Sequence, residues 1–162
     1  MKSTLVFTCS YASFKTQDGS PFSARTYDGS TLKGIHHKST ERGKDCGNST
    51  ASKYNFQSVI DVANNITLDG LNIRGLSVSS LGQKRAVYQT VPEEKQKQAL
   101  SIHDLGSYIL GTCANVEEVQ KTLENAFVTA DENAPLLNFT FCDWQGKQLF
   151  VEYVDGKPEF RS

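Results

Sequence analysis

Residues 9–29 read CSYASFKTQDGSPFSARTYDG. Two stretches rich in β-formers flank Gln17-Asp18-Gly19-Ser20, a cluster of turn residues, so Thr4–Phe14 and Phe22–Thr26 are expected to pair as a hairpin. Such a hairpin would bring Cys9, Arg25 and Asp28 together at one end of a sheet. A thiol becomes a useful nucleophile only as the thiolate, and a free cysteine titrates near ~8.5. An α-amine titrates at about 7.7–8.0 and can take the thiol proton when the cysteine is the first residue of the chain. Removal of Met1–Thr8 as a leader or propeptide would create that amine on Cys9. Asp28 would then orient the amine, and Arg25 would favour the thiolate. Read without context, Cys9 also suits a small buried strand position. Arg25 and Asp28 equally suit a surface ion pair.

Further along, Gly29–Ser58 is polar with little periodicity and is expected to be mostly loop with one weak strand. Val59–Ala63 is expected to form a short strand and Asp69-Gly70 a turn. Gly75–Leu81 is read as a strand with Leu76, Val78 and Ser80 on one face. Ser101 and Asp104 have capping-box spacing, and Ile102, Leu105, Ile109 and Leu110 continue as a helical stripe. Asn115 and Glu118 repeat that signal before Val116, Val119, Leu123 and Phe127. Leu136–Cys142 and Lys147–Val154 are expected to form a hairpin across Asp143-Trp144-Gln145-Gly146, with a further turn at Asp155-Gly156 and another strand beginning beyond it. This order predicts an α+β fold, with antiparallel sheet and helices on one face.

The chain has 162 residues, which suits one domain, and 38% of them are hydrophobic. Its 17 basic and 18 acidic residues leave a net charge of -1 without a basic block, which argues against nucleic-acid binding. No apolar run approaches the ~18–20 residues of a membrane span. Cys9, Cys46, Cys113 and Cys142 are widely spaced, which fits reduced thiols in a cytoplasmic protein better than a disulfide framework. Secretion is the alternative if the true start lies upstream and includes a signal peptide. His36-His37 lacks a third ligand at fitting spacing, so no metal and no cofactor are expected. Cys113 and Cys142 read as core, His103 as exposed, and Trp144 as a hairpin tip.

The segment CSYASFKTQDGSPFSARTYDG resembles the N-terminus of the penicillin V acylase and bile salt hydrolase family, the choloylglycine hydrolase group of N-terminal nucleophile enzymes. That family begins its mature chain with Cys and carries Arg-x-Met-Asp at the spacing found here in Arg25-Thr26-Tyr27-Asp28. DGLNIRGLSV (Asp69–Val78) is similar to the family's DGxNExGL element. SIHDLGSYILGTCANVEEVQKTL resembles its helix pair, and PLLNFTFCDWQGKQLFVEY its central hairpin. The four blocks occur in family order across nearly the whole chain.

The resemblance implies a four-layer αββα sandwich, of which residues 9–162 match the N-terminal half, and hydrolysis of a linear non-peptide amide of the penicillin V or conjugated bile acid type. It implies that Cys9 is the nucleophile, that Arg25 and Asp28 hold and polarise it, and that Tyr27 lines the substrate pocket. Gly82 falls where the family has an Asn or Tyr whose backbone N–H contributes to the oxyanion hole. An oxyanion Asn and a further catalytic Arg belong to the family's second half, beyond Ser162. The expected partner is a small acyl amide, with homo-oligomerisation possible. A different reading is a non-catalytic half-domain, or truncated relic, that acts by association with another chain.

Overall fold

The expected N-terminal hairpin forms between β1 (Tyr11–Lys15) and β2 (Pro21–Arg25). The structure, a computed structural model, describes residues 9–27 and 34–162, so the proposed leader and Asp28 lie outside the described residues. Asp18 organises the turn: it accepts from the Ser20 N–H at 3.0 Å and from the Thr16 hydroxyl. Tyr11, Ser13, Ser23 and Arg25 share one face of the hairpin; Ala12, Phe14, Phe22 and Ala24 share the other.

Four strands follow, β3 (Ile35–Thr40), β4 (Phe56–Asp61), β5 (Ile66–Asn72) and β6 (Ser77–Gly82). Then come a short β7 (Leu100–Ser101), α1 (Leu105–Thr112), α2 (Val116–Asn125) and β8 (Val128–Thr129). The chain closes with β9 (Leu137–Cys142), β10 (Gln148–Val154) and β11 (Lys157–Arg161). Seven strands make one antiparallel sheet in the order β11-β10-β9-β6-β5-β4-β3, while β7 and β8 form a small parallel pair. The fold is α+β, with α1 and α2 on one face of the sheet. Phe139, Phe141, Val78 and Val151 meet Leu105, Ile109, Leu110, Val119 and Leu123 in a continuous buried core.

The hairpin β1–β2 lies over the other face. Lys15 packs on Gly146 of the β9–β10 turn, and Arg25 reaches Asp69 on β5. The layers therefore run helices, seven-stranded sheet, hairpin.

The weak strand expected in the polar stretch after Gly29 is edge strand β3, paired along its whole length with β4. Three local expectations need correction. The strand expected from Val59 begins earlier, since β4 starts at Phe56. Asp69-Gly70 is not a turn but the middle of β5; the chain reverses instead after Asn72, where Gly75 has φ 77° and its N–H donates to the Asn72 carbonyl. Gly70 is required by packing: a Cβ there would stand 2.3 Å from Leu110 Cδ1 and 3.0 Å from the Gln57 carbonyl oxygen. The capping box at Ser101–Asp104 does not form, because Ser101 pairs with Thr129 and the Asp104 carboxylate accepts from the Asn48 N–H instead.

The second helix start holds. The Asn115 side chain accepts from the Glu118 N–H at 2.9 Å, and the Glu118 carboxylate reaches back to the Ala114 N–H at 2.9 Å.

Candidate active site

The site is built where the end of β2 crosses β5 and β6, and the register of β5 decides what it presents. Thr67 faces α1, where its Oγ1 lies 2.7 Å from Ser107 Oγ. Gly70, three residues later, also faces α1, against Leu110. Strict alternation would put residues 67 and 69 on one face. A β-bulge intervenes: Ile60 pairs with Thr67 and Val59 with Asp69, leaving Leu68 without a partner. The extra residue turns Asp69 away from the helices and toward the hairpin. Ser80 Oγ donates to the Thr67 carbonyl at 3.0 Å and lies 3.3 Å from the Leu68 carbonyl, so the bulge is stitched from β6.

Arg25 reaches into this arrangement with a side chain only 6% exposed. Its Nε donates to Asp69 Oδ2 at 2.7 Å and its Nη1 to the Ser80 carbonyl at 2.9 Å. The same Nη1 stands 3.7 Å from Cys9 Sγ. Ser79, directly across from Asp69 in the ladder, donates its hydroxyl to Asp69 Oδ1 at 2.6 Å. The Tyr27 ring lies 5.2 Å from the guanidinium carbon, close enough for a cation–π contact. Burial pushes the Tyr27 phenol up, with Asp61 adding in the same direction. The hairpin closes beneath Cys9: the Ser10 N–H donates to Thr26 Oγ1 at 3.0 Å, and the Thr26 N–H to the Ser10 carbonyl at 2.9 Å.

Thus the structure brings together Cys9, Arg25 and Tyr27 from the sequence reading. Gly82 ends β6, two residues beyond the Ser80 carbonyl that Arg25 engages, with nothing within 4 Å of the place its Cβ would occupy. The partner that holds Arg25 is Asp69, with Ser79 behind it, and sequence reasoning gave neither a role. In the sequence, the Asp of DGLNIRGL reads as turn chemistry because Gly70 follows it. The usable signal is an Asp-Gly pair flanked by Leu68 and Leu71, inside a run that otherwise reads as strand. Arg25 is also not half of a surface ion pair, since its guanidinium is enclosed.

A cleft of about 790 Å³ opens beside the Arg25–Asp69 pair. Its walls include Phe22, Val59, Leu71 and Trp144, so it is largely apolar away from the ion pair. Cys9 and Tyr27 are not among its lining residues; Arg25 touches both the thiol and the cleft.

The other thiols are set apart from this chemistry. Burial pushes Cys46, Cys113 and Cys142 up, with a nearby carboxylate adding at each, so all three favour the protonated form. Cys142 is buried as expected, but it lies on the cleft side of the sheet rather than against the helices. Cys9 is half-buried. Among the described residues no cluster of three or more His, Cys, Asp or Glu side chains could hold a metal ion. His36 and His37 alternate along β3, and His37 pairs with Gln57 at 3.3 Å on the cleft rim. His103 is partly covered, held between the Asn64 carbonyl and Asp131. No described helix is long and apolar enough to cross a membrane.

Comparison with known proteins bears on the family and the fold. A penicillin V acylase from Pectobacterium atrosepticum is 28% identical over 98 residues, covering 56% of this chain and 26% of that protein. The fold matches a conjugated bile acid hydrolase variant from Clostridium perfringens with a TM-score of 0.79 at 22% identity, over 93% of this chain and 49% of that one. It matches a penicillin V acylase from Agrobacterium tumefaciens with a TM-score of 0.73 at 25% identity, over 93% of this chain and 48% of that one. The chain spans about half the length of these structures. The sequence profile of the linear amide C–N hydrolases matches residues 9–159, and the chain belongs to their choloylglycine hydrolase family.

Proposed function

We propose that this chain carries the nucleophile half of a linear amide hydrolase, with Cys9 attacking the acyl carbon once residues 1–8 are removed. The observation that carries this reading is the Arg25 guanidinium held against Cys9 Sγ by Asp69 at the end of the hairpin. The α-amine of Cys9 takes the thiol proton and the thiolate adds to the carbonyl carbon. Collapse of the tetrahedral adduct breaks the C–N bond as the ammonium returns its proton to the leaving amine. Water then attacks the thioester, giving the carboxylic acid and restoring the thiol. Arg25 stabilises the thiolate, Asp28 orients the amine, and the Gly82 N–H serves the oxyanion. Tyr27 forms a wall beside the guanidinium. The substrate class is an acyl amide such as penicillin V or a conjugated bile acid, its apolar acyl group suited to surfaces such as Phe22, Leu71 and Trp144.

Full turnover on this reading needs the oxyanion Asn and second Arg of the family's other half, since losing one oxyanion donor costs ~100–1000-fold in rate. The test compares hydrolysis of penicillin V and glycocholate by the 162-residue chain, its Cys9→Ala variant and a version continued through that half. Hydrolysis is expected only in the continued version, whose mass should show a chain starting at Cys9. Retention of Met1–Thr8 in an active enzyme would defeat the nucleophile assignment.

Association with another chain is a second reading, favoured by one observation. Phe14 and Phe22 stack at 5.0 Å on the hairpin face opposite Arg25, 56% and 49% exposed, with Phe22 also reaching the cleft edge. Exposed apolar faces of this kind favour association. Light scattering behind size exclusion is expected to show self-association that weakens in Phe14→Ser/Phe22→Ser; a clean monomer at micromolar concentration would remove this reading.

A further inference from the structure

We infer that Asp69, turned toward the hairpin by the Leu68 bulge and locked by Ser79, is the positioning residue that aims Arg25 at the Cys9 thiol. This rests on the reading of Cys9 as nucleophile, but its geometry is independent of any substrate. Guanidinium groups bind carboxylates in fixed directions, and Arg25 uses Nε for Asp69 while Nη1 serves the Ser80 carbonyl and Cys9 Sγ. Two anchors on β5 and β6 therefore set both the position and the rotation of the guanidinium plane. Asp69 is itself fixed, since Oδ1 accepts from Ser79 Oγ while Oδ2 accepts from Arg25. Without Asp69, the guanidinium would keep a single strong directional hydrogen bond, to the Ser80 carbonyl, beside the softer contact with the Tyr27 ring, and its plane could swing. The charge of Asp69 acts in the opposite sense, because a carboxylate beside Arg25 offsets part of its attraction for a thiolate. Position and charge therefore predict different outcomes for different substitutions.

The experiment measures the alkylation rate of Cys9 by iodoacetamide at neutral pH in the 162-residue chain, read by mass mapping of the Cys9 peptide. Cys46, Cys113 and Cys142 are buried and serve as internal controls. Asp69→Ala is expected to slow Cys9 alkylation about fivefold, as the thiolate loses an aligned cation. Asp69→Asn keeps an acceptor for Nε and a group for Ser79, so it is expected to react at the parent rate or faster. Ser79→Ala, a mild change that tests the lock if Asp69→Ala fails to fold, is expected to slow the reaction about twofold. Simple loosening of the fold would instead accelerate alkylation of Cys9 and of the buried thiols. Parent-like rates in both Asp69→Ala and Ser79→Ala, or equal slowing in Asp69→Asn and Asp69→Ala, would overturn the positioning role. If the predicted rate pattern appears while the continued chain hydrolyses no amide, the positioning role stands and the amidase reading falls.

Discussion

Replacing Asn72 with alanine is expected to cost about 4 kcal/mol of folding stability, a large share of the ~5–15 kcal/mol that a domain possesses. Asn72 is 3% exposed and every polar position of its amide is used. Nδ2 donates to the Leu110 carbonyl at 2.9 Å and the Cys113 carbonyl at 2.8 Å, at the end of α1 where helix carbonyls lack internal partners. Oδ1 accepts from the N–H groups of Arg74 at 2.9 Å and Leu76 at 3.1 Å, closing the turn between β5 and β6. Alanine would leave the Leu110 and Cys113 carbonyls and the Leu76 N–H unpaired in a buried region, each costing about 1–3 kcal/mol less whatever hydration relaxation permits, while the N–H of exposed Arg74 can turn to water. Asn72→Asp is expected to be no better, because it sets a carboxylate oxygen against two carbonyls. Urea unfolding with an unchanged m-value reads the loss directly. A loss below about 1 kcal/mol would mean the helix and turn are held by packing alone. The strands Asn72 ties together also present Asp69 and Ser79, so its loss should loosen the site.

Arg25→Met is expected to slow Cys9 alkylation at neutral pH about tenfold, more than any change at Asp69, because it removes the cation itself. It should also cost about 2 kcal/mol of stability. The methionine fills most of the aliphatic volume, so the effect is mainly the lost charge and hydrogen bonds. Asp69 would keep Ser79 as a partner, and at 35% side-chain exposure it can gain water, which holds the penalty below that of a fully buried orphan. Arg25→Lys retains the charge but concentrates it at one point, so it cannot serve Asp69, the Ser80 carbonyl and the thiol together. It is expected to recover less than half of the lost rate. Full recovery by lysine would show that charge alone governs the thiol and that the orientation of the guanidinium plane has no bearing on it.

Local signals carried much of this molecule. The turn chemistry of Gln17–Ser20, the Asn115 cap, the helical stripe of α2 and the hairpin of β9 and β10 depend on near neighbours, so they could be read from the sequence. Cys9 and Arg25 sit on a hairpin whose register follows from its own turn, and their approach was therefore predictable. What the chain order could not show is the pairing of Arg25 with Asp69, 44 residues away. That contact exists because one unpaired residue at Leu68 reverses the face of β5, an event that period-two reading of the sequence assigns to the wrong side. Gly70 gave a turn signal for the same reason that it permits a strand: only the position of Leu110, fixed by helix-on-sheet packing, tells which applies. The capping box at Ser101 failed likewise, since strand pairing with Thr129 claimed that residue first. The sequence by itself determined the hairpin, the second helix and the neighbour of Cys9. The tertiary structure alone decided which carboxylate holds that neighbour, because the bulge that turns Asp69 is stitched by Ser80 from a different strand.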